Sequence, residues 1–218
     1  MNRTEQKRSI YQHFASVART LGHEYRWELL ELIAQGERNV ESLSEVTGLA
    51  IATVSQHLQQ MRRAGLVRSR REGRFMYYSL ADERVVTLMT GLREVAERNI
   101  AEVRQLVESF HGDRSELDAI DAEELQDQVR SGAITLLDVR PAQEYASGHL
   151  PGALNIPVEE LQERLRELQQ GRPVVAYCRG PFCALSQEAV ELLRAQGLEA
   201  IRFDSGYPEW KASGLPVQ

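Results

Sequence analysis

The stretch TVSQHLQQMRRAGLVRSRREGRFMYYSL, residues 53–80, decides the fold of the first half of the chain. Residues 52–64 predict a helix, because Val54, Leu58 and Met61 fall on one helical face and a glycine ends the pattern. The residues that follow predict a β-hairpin, because two alternating runs flank the glycine-containing turn REGR. The stretch therefore predicts a helix that leads directly into a two-stranded hairpin.

A second, shorter helix is predicted just before this one, at residues 41–46, and Thr47-Gly48 after it is a turn signal. A short helix, a tight turn and a second helix form the helix-turn-helix layout, whose second helix enters the major groove of DNA. The side chains expected on the exposed face of the second helix can bond base edges or phosphates. These are Thr53, Ser55, Gln56, His57, Gln59, Gln60, Arg62 and Arg63.

The hairpin adds a cationic wing, which we define as Arg68, Arg70, Arg71 and Arg74. Guanidinium groups on a hairpin suit contacts with phosphates or with the minor groove. The alternative is a solvated polar helix beside a charged hairpin. Because the wing follows a helix-turn-helix pattern, we favour binding to double-stranded DNA.

Helices are predicted on both sides of these elements. Residues 8–35 predict two helices, and residues 82–110 predict one long helix with an apolar stripe. Since so long a helix needs a partner surface, we expect a homodimer through the N-terminal helix and helix 82–110. The alternative is that the long helix only covers its own domain. The polar break HGDRS at 111–115 sets the predicted boundary between domains 1–112 and 113–218.

The second half of the chain has a different rhythm, in which helices alternate with short apolar runs. Helices are predicted at 121–131, 158–169 and about 184–196. Strand-like runs contain residues 134–139, 174–177 and 200–203. This alternation predicts an α/β domain with a mainly parallel sheet.

Composition limits the class of protein. The chain has 218 residues, 42% of them hydrophobic and 27% charged, which suits two small globular domains. It has no run of about 18 apolar residues that would span a membrane and no apolar signal segment at its N-terminus. Two cysteines cannot form a disulfide scaffold, so we expect a cytoplasmic protein with no membrane partner.

Charge is distributed unevenly. Residues 1–112 carry 16 basic and 14 acidic side chains, whereas residues 113–218 carry 10 and 18. Six arginines and one glutamate fall within residues 62–74 alone. This concentration on an acidic chain indicates two domains with different partners, one of them nucleic acid.

Both cysteines lie in the segment YCRGPFCA, residues 177–184. Cys178 ends an apolar run, and a helix is predicted to begin about six residues later. Backbone N–H groups and a helix N-terminus in such a loop stabilise a thiolate, and the neighbouring Arg179 would help. A thiolate is a nucleophile, so attack on sulfur or on an oxyanion becomes plausible chemistry. The alternative is that Cys178 is a small core residue at a strand end.

Motifs in the first half resemble the ArsR family of winged-helix repressors over roughly residues 10–105. The likeness is carried by TVSQHL at 53–58, AGLV at 64–67, RREGR at 70–74 and YYSL at 77–80. It implies a homodimer that binds a palindromic operator and releases it when an inducer arrives, with Thr53, Ser55, Gln56 and His57 as base and phosphate contacts. Metal-sensing members carry cysteines or a histidine where this chain has residues 39–45 and Arg84. No metal site and no cofactor are therefore expected.

Motifs in the second half resemble rhodanese domains over about residues 115–218. They are LDVR at 137–140 with Glu144, GHLPGALNIP at 148–157, SGYPEWK at 205–211 and GLPV at 214–217. The likeness implies a rhodanese fold in which Cys178 takes a sulfane sulfur as a persulfide and passes it to an acceptor.

Other residues near the loop are assigned less directly. Asp138 and His149 are interpreted as structural, since they lie at a strand end and in a glycine-rich turn. Arg140 is a candidate for the cysteine pocket, because the ends of neighbouring parallel strands lie side by side. The last loop position is Cys183, where rhodaneses often have a basic or hydroxyl residue, which leaves Arg179 as the only cation of the loop.

Cys183 has two interpretations. If the two sulfurs can meet, Cys183 is a resolving thiol that attacks a persulfide on Cys178, forms a disulfide and releases sulfide. If they cannot meet, Cys183 only packs at the start of the helix. A disulfide requires a Cβ separation of about 3.5–4.5 Å, which residues five apart reach only with a favourable loop.

Two functions follow from these patterns. The first is a repressor whose control involves a small sulfur donor, a thiol oxidant or a thiophilic oxyanion such as arsenate or arsenite. The second is a working sulfurtransferase whose DNA-binding domain places it under its own regulation. They differ in whether DNA binding responds to a sulfur donor.

Overall fold

The computed structural model of the chain describes residues 2–111, 119–168 and 171–218. It divides into two compact units, Met1–Val85 and Val86–Gln218, which are described separately below. The predicted domain boundary at 112/113 lies outside the described residues and stays a prediction. None of the described helices is both long enough and apolar enough to cross a membrane.

The first unit is a winged helix-turn-helix, as the sequence predicts. Its helices are α1 (Arg3–Leu21), α2 (Glu24–Ala34), α3 (Val40–Thr47) and α4 (Ile51–Arg63). Strands β1 (Arg38–Asn39), β2 (Val67–Glu72) and β3 (Phe75–Leu80) form an antiparallel sheet in the order β1-β3-β2. Its core is built from completely buried side chains of α2, α3 and α4, namely Leu29, Leu30, Leu43, Val54, Leu58 and Met61.

Local chemistry sets the turn between α3 and α4. Asn39 caps α3 by accepting a hydrogen bond from the backbone N–H of Ser42 at 2.7 Å. Gly48 ends the helix with a φ of 69°, a left-handed conformation that glycine adopts without steric cost. The Ser44 hydroxyl donates to the carbonyl of Leu49 at 2.6 Å and closes the turn. The recognition helix α4 therefore leaves α3 at a fixed angle.

The prediction of one long helix over 82–110 is wrong. Two helices are present, α5 (Arg84–Asn99) and α6 (Ala101–His111), and Ile100 separates them. The side chain of Arg104 donates to the carbonyls of Glu97 and Arg98, at 3.5 and 3.2 Å. Because an arginine side chain takes over these carbonyls at the end of α5, the helical ladder stops there and starts again in α6.

The second unit also contains an α/β layer structure, which confirms the predicted fold class. Its five-stranded sheet has the order β4-β8-β7-β5-β6, and neighbouring strands run parallel. The strands are β4 (Ala119–Ile120), β5 (Thr135–Asp138), β6 (Leu154–Asn155), β7 (Val174–Cys178) and β8 (Ala200–Gly206). The helices are α7 (Ala122–Ser131), α8 (Ala142–Ala146), α9 (Leu161–Arg164), α10 (Ala184–Ala195) and α11 (Tyr207–Ala212).

The predicted helix at 158–169 is only partly correct. The segment consists of a 3-10 turn at Val158–Glu160, the short α9, and a second 3-10 turn at Leu165–Glu167. The backbone N–H of Glu160 donates to the carbonyl of Pro157 at 2.9 Å, and that of Leu168 donates to the carbonyl of Leu165 at 3.1 Å. Bonds to the third residue back are those of a 3-10 helix, so the α-helical part of the segment is limited to α9. Residues 169 and 170 lie outside the described part of the chain.

Strand β7 lies inside the sheet and is buried on both faces. Val174, Ala176 and Cys178 face a core layer shared with α10, whereas Val175 and Tyr177 face the opposite layer. This alternation is the two-residue repeat of a β-strand, and burial on both faces is typical of parallel sheets. Cys178 therefore leaves the sheet on the side that α10 covers.

A completely buried ion pair lies at the end of the neighbouring strand β5. Arg140 donates to the carboxylate of Asp138, with an Nη2–Oδ2 distance of 2.6 Å, and to the carbonyl of Gly148 at 2.8 Å. Its guanidinium also lies 4.5 Å from the ring centroid of Tyr207. Burial alone would lower the pKa of Arg140, but its bonds to Asp138 outweigh burial and raise that pKa. Arg140 therefore stays charged, and its contacts hold three chain segments together.

Candidate functional site

The candidate sulfur site is the loop between β7 and α10. Cys178 is the last residue of β7 and only 1% exposed, and Cys183 is the half-buried residue immediately before α10. The two cysteines are joined as a disulfide with their Cα atoms 6.2 Å apart, within the usual range for such a bond. The loop geometry thus allows the two sulfurs to meet, which was the condition for a resolving role of Cys183.

Backbone contacts hold this loop in place. The N–H of Cys183 donates to the carbonyl of Gly180 at 3.1 Å. Arg202, a buried residue of β8, donates to the carbonyl of Pro181 at 3.4 Å and to Asp204 at 3.0 Å. The loop is therefore fixed to the neighbouring strand β8 as well as to its own helix.

Gly206 brings the backbone of β8 against the backbone of the loop. It pairs with Cys178 in the sheet register. A Cβ atom at this position would lie 2.6 Å from the Cα of Gly180, closer than real Cβ atoms approach other heavy atoms. Only a residue without a side chain fits here, because the two backbones are in contact.

Arg179 has a specific partner. Its guanidinium makes a two-pronged ion pair with Glu144 of α8, at 2.8 to 3.1 Å. Glu144 is buried, whereas the Arg179 side chain is partly exposed. Paired geometry of this kind fixes orientation as well as charge. The positive charge predicted to help the Cys178 thiolate is thus shared with a carboxylate, and its role toward sulfur stays a prediction.

Arg140 supports Tyr177, the residue that precedes Cys178. Besides its bonds to Asp138, its guanidinium lies 5.6 Å from the ring centroid of Tyr177. The Tyr177 hydroxyl accepts a hydrogen bond from the N–H of Leu150 at 3.1 Å. Burial and the charge of Asp138 raise the pKa of Tyr177, which keeps the phenol neutral. Arg140 thereby positions the end of β7, and its predicted place in the cysteine pocket stays a prediction.

Phe182 extends from the loop and is 38% exposed. Its ring lies edge-on to Phe110, with centroids 5.9 Å apart, and is stacked on His111 at 5.8 Å. The guanidinium of Arg93 lies 5.8 Å from the same ring. These contacts join the residue next to Cys183 to helices α5 and α6, all within the second unit.

The recognition helix presents most of the predicted DNA contacts. The side chains of Gln56, Gln59, Arg62 and Arg63 are exposed, and those of Thr53, Ser55 and Gln60 are half-buried. Arg26 donates a hydrogen bond to Gln60, which fixes the amide. These side chains share the accessible part of α4, as a helix that reads a groove requires.

The expectation that His57 lies on the exposed face is wrong. It is only 8% exposed, accepts a hydrogen bond from Arg26 at 3.2 Å, and its ring packs edge-on against His23 with centroids 4.5 Å apart. Burial lowers the pKa of His57, and the neighbouring His23 and Arg26 lower it further. His57 is therefore a neutral residue of the first unit's interior.

The wing is less cationic than the sequence suggests. Arg70 makes ion pairs with Glu37 and Glu72, so its charge is largely compensated. Arg68 donates to the carbonyl of Leu80 at 3.3 Å. Arg71 and Arg74 lie at the hairpin tip, where Arg71 bonds the carbonyl of Gly73 and Arg74 stacks on Phe75. These two exposed arginines are the cations of the wing best placed to meet phosphates.

Sequence reasoning did not identify three residues that shape the sulfur site. Glu144 and Gly206 lie in the motifs that resemble rhodanese domains. The sequence does not indicate that Glu144 pairs with Arg179 or that Gly206 touches the loop backbone. Arg202 had a weaker signal, since an arginine in the apolar strand AIRF is unusual and needs a buried partner.

Known proteins resemble both parts of the chain. The model of bacterial regulatory proteins of the arsR family matches residues 23–69, and that of the rhodanese-like domain matches residues 121–213. The HTH-type transcriptional regulator Rv0324 of Mycobacterium tuberculosis is 42% identical over 98% of this chain and 94% of its own length. A sulfurtransferase of Allochromatium vinosum is 33% identical over 45% of this chain and 92% of its own. The thiosulfate:glutathione sulfurtransferase of Homo sapiens is 34% identical over 40% of this chain and 87% of its own length.

A winged helix-turn-helix joined to a rhodanese-like α/β domain defines a two-domain class of bacterial regulator. The similarity to Rv0324 extends over nearly the whole of both chains. The chain therefore belongs to the ArsR family of transcriptional regulators and carries a rhodanese-like domain. This confirms the family, the fold class and the regulator function that the sequence predicts.

The contact at Gly206 generates a test of the loop geometry. Replacing Gly206 with alanine should destabilise the second unit by about 1–3 kcal/mol, because the new methyl group overlaps the loop backbone. Calorimetry measures the change in stability.

Gly91→Ala is the matched control. Gly91 lies inside α5 with open space around its Cβ position, so alanine should be neutral or stabilise the helix by roughly 0.5–1 kcal/mol. Wild-type stability of the Gly206→Ala protein would show that the loop is not held by this contact.

Proposed function

We propose that this regulator binds operator DNA as a homodimer and that sulfane sulfur on Cys178 changes its affinity for the operator. The observation that carries the proposal is the pair of cysteines joined in one loop of a chain whose other unit is a winged helix-turn-helix. A thiol pair in such a loop changes covalent state when it meets a sulfur donor. The winged helix-turn-helix unit would convert that change into a change in DNA binding.

DNA recognition is assigned to α4 and to the hairpin tip. The exposed amides and guanidinium groups of Gln56, Gln59, Arg62 and Arg63 suit base edges and nearby phosphates. Arg71 and Arg74 supply phosphate contacts that do not depend on sequence. Because His57 is buried and contacts His23 and Arg26, it acts by supporting the start of α2 rather than by touching DNA.

A homodimer is supported by apolar side chains that a single chain leaves exposed. They lie on the helices for which the sequence predicts a dimer surface, and they are Ile10, Tyr11 and Phe14 of α1 and Leu88, Leu92, Val95 and Leu106 of α5 and α6. Exposed apolar stripes on helices are typical of surfaces that a second copy covers. Two recognition helices would then read two half-sites of a palindrome.

The sulfur step uses Cys178 as nucleophile. Its thiolate attacks the outer sulfur of a donor such as thiosulfate, forms a Cys178 persulfide and releases sulfite, so no further oxidant is needed. The twelve-residue helix α10 begins directly after the loop and its N-terminus stabilises negative charge there. Similarity to two sulfurtransferases supports this chemistry and also favours a second candidate function, repeated transfer of sulfur to an external thiol.

The central experiment compares wild type with Cys178→Ser. The reduced full-length proteins are titrated with an operator selected from a random duplex library, with and without inorganic polysulfide, and binding is followed by fluorescence anisotropy. Wild-type affinity should change by about tenfold, in the range of ordinary allosteric coupling, and a thiol reductant should restore it. The Cys178→Ser affinity should not respond.

Parallel titrations with arsenite and with hydrogen peroxide separate the inducers. If operator affinity changes more with arsenite or with hydrogen peroxide than with polysulfide, that compound would replace sulfane sulfur as the signal. Mass spectrometry must show that the wild-type protein carries the sulfur. If its operator affinity is then unchanged and thiosulfate turnover is rapid, the sulfurtransferase function would replace the proposed sensor function.

The wing is tested through the salt dependence of binding. Arg71→Ala should weaken operator and random duplexes by a similar factor and lower the slope of log affinity against log salt by about 1. Arg70→Ala is the matched comparison and should change the slope less, because Glu37 and Glu72 already compensate that charge. An unchanged slope for Arg71→Ala would remove Arg71 from the DNA interface.

A further inference from the structure

We propose that Cys183 is a resolving thiol, which turns a persulfide on Cys178 into the Cys178–Cys183 disulfide and releases the sulfur as sulfide. The proposal rests on the proposed function, because it needs sulfur uptake by Cys178. It adds a second chemical step and a reduced product. The signalling state is then a disulfide rather than a persulfide.

The loop brings the two residues together without rearrangement of the sheet. Cys178 is fixed at the end of β7, Cys183 immediately precedes α10, and the five-residue separation is closed to a Cα distance of 6.2 Å. A persulfide on the buried Cys178 meets the thiol of its own loop more often than a thiol from solution. Reaction between groups held in one loop has a high effective concentration.

The position of Cys183 favours its role as attacking group. It is the N-cap residue of α10, and its side chain makes no capping hydrogen bond. Its sulfur is therefore not committed to the helix backbone, and the positive helix N-terminus favours the thiolate form. Its half-buried side chain lies beside Cys178 and is partly accessible to solvent.

The reaction balances within the loop. The Cys183 thiolate attacks Sγ of Cys178, the Sγ–Sγ bond forms, and the bond from Cys178 to the outer sulfur breaks. The outer sulfur leaves with the bonding electron pair as hydrosulfide, so the sulfane sulfur is reduced by two electrons and the two cysteines are oxidised by two. A low-molecular-weight thiol or a dithiol reductant returns the loop to its starting state.

Thiosulfate provides a test in which each step has its own product. Sulfite reports sulfur uptake by Cys178, and sulfide reports attack by Cys183. Reduced full-length wild type should release both, about one equivalent each, and should finish as a disulfide that has lost two hydrogen atoms relative to the dithiol. Cys183→Ser should release sulfite alone and accumulate a persulfide about 32 Da heavier than the thiol.

Serine is a suitable replacement because it is a preferred N-cap residue, so the start of α10 should be preserved. Cys183→Ala provides a second variant in case the hydroxyl itself affects the loop.

If wild type keeps its persulfide as long as both variants do, Cys183 is not a resolving thiol. If sulfide and disulfide form as expected but operator affinity does not change, the resolving role stands and the proposed sensor function fails. If neither sulfite nor a mass increase appears with thiosulfate or with polysulfide in any variant, both proposals fail.

A separate observation, the ring contacts of Phe182, carries a second inference. We infer that Phe182 conveys the state of the two cysteines to helices α5 and α6. Phe182 directly precedes Cys183, and its ring contacts Phe110 and His111 of α6 and Arg93 of α5. Two unbonded sulfurs need more space than a bonded pair, so opening the disulfide moves Cys183 and the ring attached beside it.

A displaced Phe182 ring would press on α5 and α6, the helices assigned to the homodimer surface. Arg93 Nη1 is also 3.7 Å from Glu209 Oε1 of α11, so its guanidinium contacts both the ring and the carboxylate. A shift of the ring therefore changes a set of contacts on both helices rather than one. A change in the spacing of the dimer would alter the fit of two recognition helices to two half-sites.

Phe182→Ala separates this role from the sulfur chemistry. The variant should release sulfite and sulfide as wild type does, yet its operator affinity should no longer respond to the donor. Phe182→Tyr, which keeps the ring, should retain the response. An operator response of wild-type size in Phe182→Ala would overturn the inference. Loss of sulfide release in that variant would also overturn it, because Phe182 would then belong to the sulfur chemistry itself.

Discussion

The buried ion pair between Asp138 and Arg140 is the interaction on which the sulfur site depends. Both side chains are completely buried, so neither charge has access to water and each needs the other. Removing one partner of such a pair typically costs about 3–5 kcal/mol, because the remaining charge is left uncompensated. Through Gly148, Tyr177 and Tyr207 the pair joins β5, the end of β7 and the start of α11. The position of Cys178 is thus set from a neighbouring strand rather than by the loop alone.

Much of the fold was predictable because its main elements have strong periodicity. The recognition helix, the wing, the strand that ends at Cys178 and helix α10 all follow from repeats of 3.6 or two residues. The short elements β4, β6, α8 and α11 contain two to six residues and carry too little pattern to be recognised. The break at Ile100 was also not predictable, because it depends on the Arg104 side chain bonding the carbonyls that end α5.

The candidate site shows the same limit at the level of single residues. His57 falls three residues after Val54 and four before Met61, which places it on the buried stripe of α4, although its polarity indicates a surface residue. Its burial depends on Arg26 and His23, two residues that are distant in sequence. The pairing of Arg179 with Glu144 and that of Arg70 with Glu37 have the same origin. Sequence identifies which groups are present, whereas their partners follow only from the tertiary structure.

The packing around the cysteine loop determines where a change in its covalent state can be felt. On one side Gly206 touches the loop backbone, Arg202 bonds Pro181, and Arg179 is tied to Glu144. Close-packed contacts of this kind resist displacement. The partly exposed Phe182 ring is held instead by aromatic and cation contacts, which can be exchanged at little cost. Forming the disulfide draws the two sulfurs to bonding distance, so the change in covalent state is also a change in loop geometry. A change in loop geometry therefore displaces Phe182, which contacts α5 and α6, rather than the strands of the sheet.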